Sequence, residues 1–419
     1  VGVAAAVACT RSNPSADCHD GACTDPNYPY CDVDGAIDGE PNKCIAVSCT
    51  PGTFGACDGS NALICGSDGS SYGATTCAAG CDASENGCHV VRVEPRYLPG
   101  VCDAPATSPS LVVPSSGTID SDLDATCNGG VVMQSGAPSI CVAHYGTISI
   151  ASGATLTVTS SYNQTNLHGG RAIAFVADGD LSIDGTLDVS AHTHFSGPGG
   201  GVVDESTCPL RVPEDGGCGG AGFQTPGGAG GDDTTDGGLD NGGAATMDPA
   251  LFTYFGGGPS TQAGGGGAVL LVSCAGTVSL TGTLAAGGGG GEPIFAANGG
   301  GAGGYGVMIG VNVSVTGSVY ANGGGGCSTA KPGEDGMLSD ETPAPGGQGS
   351  SGGGDGGAGG IGSTPPGVGE HSTMANAYGG AGGGSVGYFQ TYTPAGVTPT
   401  LTPAHASPAF QPNGTVPTE

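Results

Sequence analysis

The sequence predicts a mainly β protein: a Gly-rich right-handed parallel β-helix (β-solenoid) preceded by a small disulfide-rich module. Three observations predict this fold: short apolar runs that alternate with polar residues, a glycine-containing repeat, and cysteines concentrated in the first ninety residues. Successive residues of a strand point to opposite faces, so each alternating run carries one apolar stripe. Such a stripe is buried only when another layer stacks on it, as in a solenoid.

The repeat aligns three segments without gaps, and each has glycine at its fifth position: Leu181–Leu187, Val278–Leu284 and Val313–Val319, with Gly185, Gly282 and Gly317. We expect these glycines at corners, where a positive φ or a close turn is easiest for glycine. We also expect Ile183, Leu280 and Val315 to line one interior column. The sequence interval from Gly185 to Gly282 is close to three times the interval from Gly282 to Gly317, which suggests three layer steps, although the middle of the long interval is loop-like in composition. A two-sheet sandwich with Gly-rich hairpins is the alternative architecture.

The chain divides by composition into five regions. Residues 1–9 are interpreted as a truncated signal peptide with a lipobox, 10–90 as a Cys-rich disulfide module, 91–110 as a Pro-containing linker, 111–395 as the Gly-rich β-solenoid and 396–419 as a Pro/Thr-rich tail. The polyglycine tracts have two readings. We expect flexible loops, and the alternative is a packed flank of extended polyglycine helices with three residues per turn.

Charge and cysteine content limit the partners and the compartment. The chain has 37 acidic against 7 basic residues and a net charge of −30, and it lacks the Lys/Arg clusters that bind phosphate, so nucleic acid is excluded as a partner. The 18 cysteines predict an exported protein, because disulfides persist in oxidising compartments. The shortest predicted loops favour the disulfides Cys127–Cys141 and Cys208–Cys218.

The segment Ala6–Cys9 has the pattern of a bacterial lipobox, which makes Cys9 a candidate for lipidation. An ordinary A-x-A peptidase site, with Cys9 in a disulfide, is the alternative. If Cys9 carries lipid, the ten cysteines from Cys18 to Cys88 form an even set and the remaining seven leave one odd thiol. We expect a membrane contact only through this anchor.

The Cys-rich head and the glycine-cornered repeat together carry a resemblance: Asp25–Asp34, Cys49–Gly52, Cys57–Gly59 and Ala79–Cys81, followed by Gly276–Gly287. In this style the chain resembles exported cell-surface proteins and lipoproteins of myxobacteria. The resemblance implies an extracellular or outer-membrane location on a Gram-negative bacterium. It implies no reaction, and no functional residues are transferred from it.

No catalytic residues are predicted. Glycosidases need a carboxylate pair about 5 to 9.5 Å apart, and Asp184 and Asp188 are the candidates for an alternative function as a carbohydrate-active β-helix, either a polysaccharide lyase or a hydrolase. The repeat places Thr281 and Thr316 at the positions equivalent to Asp184, so a stack of acids across layers is not expected.

Two groups of residues suggest metal ligands. His192 and His194 would share a strand face and, with Asp188, could begin a zinc site; an exposed polar strand end is the favoured interpretation. Asp232, Asp233, Asp236 and Asp240 alternate with glycines as in calcium loops, but they do not fit the spacing of a known calcium motif, and a solvated acidic loop is favoured.

The sequence therefore predicts a non-enzymatic, exported structural or adhesive protein of a cell surface. Its expected partners are extracellular glycans or other surface proteins, and no cofactor other than weakly bound calcium is expected.

Overall fold

The computed structural model describes residues 90–160, 170–201, 216–232, 263–293, 297–374 and 377–418, and before them residues 17–18, 23–25, 28, 30–32, 42–45, 49–59, 61–67, 69, 72–76, 81–84 and 86–88. Within these ranges the regular elements are β-strands, and none is a helix. The prediction of a mainly β chain is confirmed. Contacts divide the chain into two compact units, Val1–Val91 and Arg92–Glu419.

The first unit consists of short antiparallel strands and disulfides. β1 (Tyr30–Asp32) pairs with β2 (Lys43–Ile45), and β3 (Phe54–Asp58), β4 (Asn61–Cys65) and β5 (Tyr72–Thr76) form a sheet, followed by the pair β6 (Cys81–Asp82) and β7 (Gly87–Cys88). Between cysteines that are both described, four disulfides join Cys18–Cys31, Cys23–Cys44, Cys49–Cys65 and Cys57–Cys81, and Cys88 is also disulfide-bonded. Because few apolar side chains are buried here, these cross-links, each worth about 2 to 4 kcal/mol, hold the unit together.

The strands of the second unit form two sheets. In chain order they are β8 (Ser108–Val113), β9 (Gly117–Asp120), β10 (Gly130–Val132), β11 (Ile140–Ile150), β12 (Thr155–Thr159), β13 (Ala172–Ala177), β14 (Leu181–Ile183), β15 (Thr186–Asp188), β16 (Ala268–Leu280), β17 (Thr283–Ala285), β18 (Tyr305–Val315), β19 (Ser318–Tyr320), β20 (Tyr388–Thr393), β21 (Thr400–Leu401), β22 (His405–Ser407) and β23 (Gly414–Thr415).

The long sheet has the strand order β10-β11-β13-β16-β18-β20-β23, with β8, β14 and β21 paired beside this path. The short sheet has the order β22-β19-β17-β15-β12-β9. Every pair in the two sheets is parallel except β10 with β11. Parallel sheets are usually covered, and one face of each of these sheets packs against the same apolar cluster.

Two columns of side chains run through the layers in register. Ile183 pairs with Leu280 and Leu280 with Val315 in the long sheet, and all three are buried, as the repeat predicts. In the short sheet the column is Leu156, Leu187, Leu284 and Val319. The two columns belong to one apolar cluster that fills the space between the sheets.

Strand β13 is buried along its whole length because it has an apolar cluster on each face. Ile173 and Phe175 belong to the cluster between the sheets, whereas Ala174 and Val176 belong to a second cluster on the outer face. A strand of a parallel sheet that is covered on both sides is expected to be a continuous apolar run, and Ala172–Ala177 is one.

The corner glycines are explained by close approach rather than by positive φ. A Cβ at Gly282 would overlap the carbonyl oxygen of Gly185, and a Cβ at Gly317 would overlap that of Gly282. β14 pairs directly with β16 and β15 with β17, so the long interval between Gly185 and Gly282 spans one layer step and not three. The chain between these layers contributes to a separate glycine-rich region.

This region consists of extended segments, here called glycine coils, which are neither strands nor helices: 216–221, 226–232, 263–267, 286–292, 297–304, 321–328, 332–336, 344–349, 353–360, 366–372 and 377–387. Their hydrogen bonds recur every third residue. The N–H groups of Gly288 and Gly291 donate to the carbonyls of Asn322 and Gly325, at 2.8 and 2.9 Å. Three residues per turn is the period of the polyproline II helix.

The coils bond to several neighbours at once. Gly289 donates to Gly264, Gly301 to Gly289, and Gly324 to Gly301, at 2.8 to 2.9 Å. A Cβ at Gly301 would overlap the carbonyl oxygen of Gly264. Most of these residues are buried, so in the described part of the chain the expectation of flexible loops is wrong and the packed alternative is observed.

Residues 92–110, expected as a linker, lie within the second unit. Tyr97 and Leu98 are buried in the outer cluster, and Cys102 is bonded to Cys274 of β16. The expected tail is also integrated: β22 pairs with β19 and β23 pairs with β20. Buried apolar residues between the prolines, such as Leu98 in the first segment and Val416 in the second, pack both segments into the outer cluster.

Candidate functional site

The His192–Phe195 segment, which contains the zinc candidates, is a tight turn. The N–H of His192 donates to the carbonyl of Phe195 at 2.9 Å, and the N–H of Phe195 donates back at 2.9 Å. Thr193 within the turn has a φ of 50°. The expectation that His192 and His194 share one face of an extended strand is therefore wrong.

Each histidine of this turn faces a carboxylate that sequence reasoning missed. His192 Nδ1 lies 3.5 Å from Asp335 Oδ2 and its Nε2 lies 4.0 Å from Asp188 Oδ2, while His194 Nδ1 lies 3.1 Å from Glu292 Oε2. The two nitrogens of one imidazole point in opposite directions, so Asp188 and Asp335 cannot both reach an ion held by His192. The geometry gives ion pairs and not the three-ligand zinc site that the sequence suggests.

Asp335 is the centre of this cluster. Its Oδ1 accepts hydrogen bonds from the N–H groups of Thr193 and Gly290, at 2.8 and 2.7 Å. Burial alone would raise the pKa of Asp335, but the hydrogen bonds from His192, Gly290 and Thr193 together lower it. The hydrogen bond to Asp335 raises the pKa of His192. The carboxylate thus joins the turn to a glycine coil.

In the described part of the chain, two clusters bring three metal-type ligands together, and both contain disulfide cysteines. One is Cys18, Cys23 and Cys44, and the other is His144, Asp178 and Cys274. A disulfide sulfur is not a thiolate, so neither cluster offers a complete ligand set. His144 Nε2 lies 2.9 Å from Asp178 Oδ1, a contact between residues too far apart in sequence to be found from spacing.

Of the calcium candidates, Asp232 lies in the described residues and Asp233, Asp236 and Asp240 lie outside them. The N–H of Asp232 donates to His371 Nδ1 at 3.1 Å. Calcium binding by this acidic segment stays a prediction.

Asp184 and Asp188, the two acids of the carbohydrate-active alternative, each have their own hydrogen-bond donor. Asp184 is exposed and accepts a hydrogen bond from Thr281 Oγ1 at 2.6 Å, and Asp188 Oδ1 accepts one from the N–H of Ser190 at 3.0 Å. The register neighbours of Asp188 in the adjacent strands are Thr157 and Ala285. No carboxylate stands beside either acid in the paired strands that the structure describes.

Cys127 and Cys141, predicted as a pair from their spacing, form a disulfide. Cys218 is disulfide-bonded, whereas Cys208 and the lipidation candidate Cys9 lie outside the described residues. Cys327 is a buried free thiol, and burial raises its pKa to about 12. The disulfides indicate an oxidising, extracellular environment.

A cleft of about 690 Å³ opens at the end of the second unit where β22, a glycine coil and two turns meet. Four chain segments contribute to its walls: Gln224 and Thr225, Gly362–Pro365, Val386, and Ala406 with Pro408, Ala409 and Gln411. None of these side chains is charged or aromatic. Sequence reasoning missed the cleft because its walls are widely separated along the chain and share no motif.

Comparisons with protein-family models, curated proteins and solved structures gave no match. Among the described residues there is no helix of the length and hydropathy that a membrane span requires.

Proposed function

We propose that the protein is an exported, non-enzymatic structural or adhesive element of a bacterial cell surface, built on a right-handed parallel β-solenoid. The observation that carries the proposal is the pair of in-register columns, Ile183–Leu280–Val315 and Leu187–Leu284–Val319, between two parallel sheets. Layers stacked in this way repeat one register along an axis, which is the construction of a solenoid.

The glycine coils support a load-bearing role. Their carbonyls and N–H groups are bonded in three-residue steps to several neighbouring coils, and glycine lets these backbones approach one another closely. The glycines that make up most of the coils have no side chains to act in catalysis, and the coils add a second packed region to the sheets. A stiff acidic scaffold is suited to surface structure and adhesion.

The localisation proposal includes an outer-membrane or extracellular site on a Gram-negative bacterium and an anchor through lipid on Cys9. The disulfides support export, and the myxobacterial surface proteins that the sequence resembles support the location. Extracellular glycans or other surface proteins are the proposed partners.

A carbohydrate-active enzyme is the competing proposal. Asp184 and Asp188 would be its acids, but neither has a carboxylate neighbour in the described strands, and Asp184 is engaged by Thr281. Because glycosidases need two carboxylates on one substrate, the surface role ranks first.

A test combines location and turnover. We expect surface biotinylation of intact expressing cells to label the protein, and Cys9→Ala to move it from the membrane fraction to the soluble fraction. We expect no release of reducing ends from a panel of neutral and acidic polysaccharides. Turnover that is lost in Asp184→Ala would overturn the non-enzymatic role, and a protein that is never labelled on intact cells would overturn surface location.

A further inference from the structure

One residue that lines the uncharged cleft, Thr225, carries a polar atom that nothing in the described structure satisfies. The hydroxyl oxygen of Thr225 is buried and has no hydrogen-bond partner among the described residues. A buried hydroxyl without a partner costs about 1 to 3 kcal/mol, so a native structure rarely leaves one without a reason. Thr225 lines the cleft, so a rotation of its side chain that turns the hydroxyl toward the cleft would let a ligand hydroxyl remove this cost.

The walls of the cleft are fixed in place before any ligand binds. The turn at Ile361–Thr364 is closed by two backbone hydrogen bonds of 3.1 and 2.7 Å, and the N–H of Gly362 donates to Ser407 Oγ at 2.7 Å. Next in sequence to the lining residues Gln224 and Val386, the N–H of Phe223 donates to Ser385 Oγ at 2.7 Å. Ligand binding would therefore not have to order these walls, which favours affinity.

The residues that line the cleft indicate which kind of ligand fits it: one that is polar but uncharged. Gln224, Thr225, Ser363, Thr364 and Gln411 offer hydroxyl and amide groups, which both donate and accept hydrogen bonds. No Lys or Arg lines the cleft to compensate an anion, and the chain carries a net charge of −30 that repels anions. Val386, Ala406 and Pro408 add apolar surface that suits the C–H face of a sugar ring.

From these features we infer that the cleft binds a neutral saccharide, with Thr225 and Gln411 as ligand-contacting residues. The inference rests on the proposed surface role and names the class of glycan that the surface would recognise. Because no aromatic ring lines the cleft for stacking, binding is weak for a single site, with a Kd on the order of 1 mM.

The experiment uses the full chain and saturation-transfer NMR with neutral gluco-, manno- and galacto-oligosaccharides of about three to six sugars, a length that fits a cleft of this size. Oligogalacturonates are the anionic comparison, and a neutral Gly/Ser/Pro peptide tests whether the cleft takes protein instead. We expect at least one neutral series to bind and the oligogalacturonates not to bind.

Variants separate the cleft from other surfaces. We expect Thr225→Val and Gln411→Leu each to weaken saccharide binding about fivefold or more, as for loss of a hydrogen bond inside a site. Thr225→Ser keeps the hydroxyl and should keep binding, which serves as the test if Thr225→Val does not fold. Thr118→Val and Gln348→Leu make the same chemical changes at exposed positions outside the cleft and should leave binding unchanged.

Absence of binding by every neutral oligosaccharide, equal binding by Thr225→Val, or a preference for the anion or the peptide would each overturn the inference. These outcomes differ from failure of the proposed function. A surface-labelled protein that binds no sugar loses only the cleft inference, whereas turnover or absence from the surface removes the proposed function itself.

Discussion

The stacked strands and the glycine coils of the second unit are stabilised by opposite means. Between the sheets, Leu280 and its neighbours exclude water with large apolar side chains, and the backbone bonds along one plane. In the coils, Gly301 and Gly324 have no side chain, and backbone bonds run to neighbours in several directions. A chain can thus bury its backbone in two ways: under large side chains, or against other backbone where glycine leaves no side chain between them.

The comparison also explains the unusual composition. The chain has 89 glycines and few large apolar residues, which is typical of chains that do not fold. Here the large residues are concentrated in the strands and the glycines in the coils, so each group contributes to a separate packed region.

The largest effect is expected in the strands. Leu280→Ala should lower the free energy of unfolding by about 2 to 5 kcal/mol, because it removes apolar contact and leaves a cavity in the column. Urea denaturation followed by circular dichroism measures the change. Thr316→Ala, at an exposed position of the same repeat, is the control and should change stability by less than about 0.5 kcal/mol. Equal effects of the two would contradict the column.

A smaller loss is expected in the coils, from adding one methyl group. A Cβ at Gly324 would overlap the carbonyl oxygen of Gly289, so Gly324→Ala should destabilise the chain by about 1 to 3 kcal/mol. The denaturation midpoint in urea reports this loss.

Gly117→Ala is the matched control for that change. A Cβ at Gly117 meets no atom within 4 Å and its φ is not positive, so alanine there should be neutral or stabilising, by up to about 1 kcal/mol. Amide hydrogen exchange gives a second readout. Immediate exchange throughout residues 287–293 and 297–304 would contradict a packed coil region.

The smallest effect concerns the ion pair between the His192 turn and the glycine coil that contains Asp335. The raised pKa of His192 adds stability below its ordinary value of 6.5, and this is lost as the pH rises through the raised pKa. The lowered pKa of Asp335 adds stability above its ordinary value of 3.8, and this is lost as the pH falls through the lowered pKa. The pair therefore contributes most between these two values.

We expect Asp335→Asn to remove this contribution, which is below about 1 kcal/mol because both side chains are partly exposed. Melting temperatures of wild type and variant should differ most in mildly acidic buffer, and the difference should shrink as the pH rises through the raised pKa of His192, to the part contributed by the hydrogen bonds from Gly290 and Thr193. Glu341→Gln, an exposed acid in the same segment, controls for the loss of one charge. A constant difference at every pH would show that His192 does not contribute.

The sequence predicted the strands correctly because the alternation of apolar and polar residues within a strand decides which of its faces is buried. The alternation in Leu181–Leu187 and Val278–Leu284 places leucines and an isoleucine on one face, and their parallel pairing follows that alternation. The spacing of the layers could not be read in the same way. Coils inserted between β15 and β16 lengthen the chain without adding a layer.

The candidate site was less predictable because its contacts are long-range. The His192 turn depends on the positive φ of Thr193. A β-branched residue seldom adopts a positive φ, so the local sequence predicts an extended strand and not a turn. Its partners Asp335 and Glu292 come from distant coils. Leu98 and Cys102 were assigned to a linker because nearby prolines dominate the local composition, although burial and a disulfide decide their place.

The three-residue recurrence of the coils restricts how such a chain can change its length. Adding or deleting three residues is one full turn of a coil, so every following carbonyl still points to its N–H donor. Adding or deleting one or two residues would rotate every following carbonyl away from its donor. Insertions and deletions in whole turns, rather than single replacements, are therefore the changes that this part of the molecule accommodates.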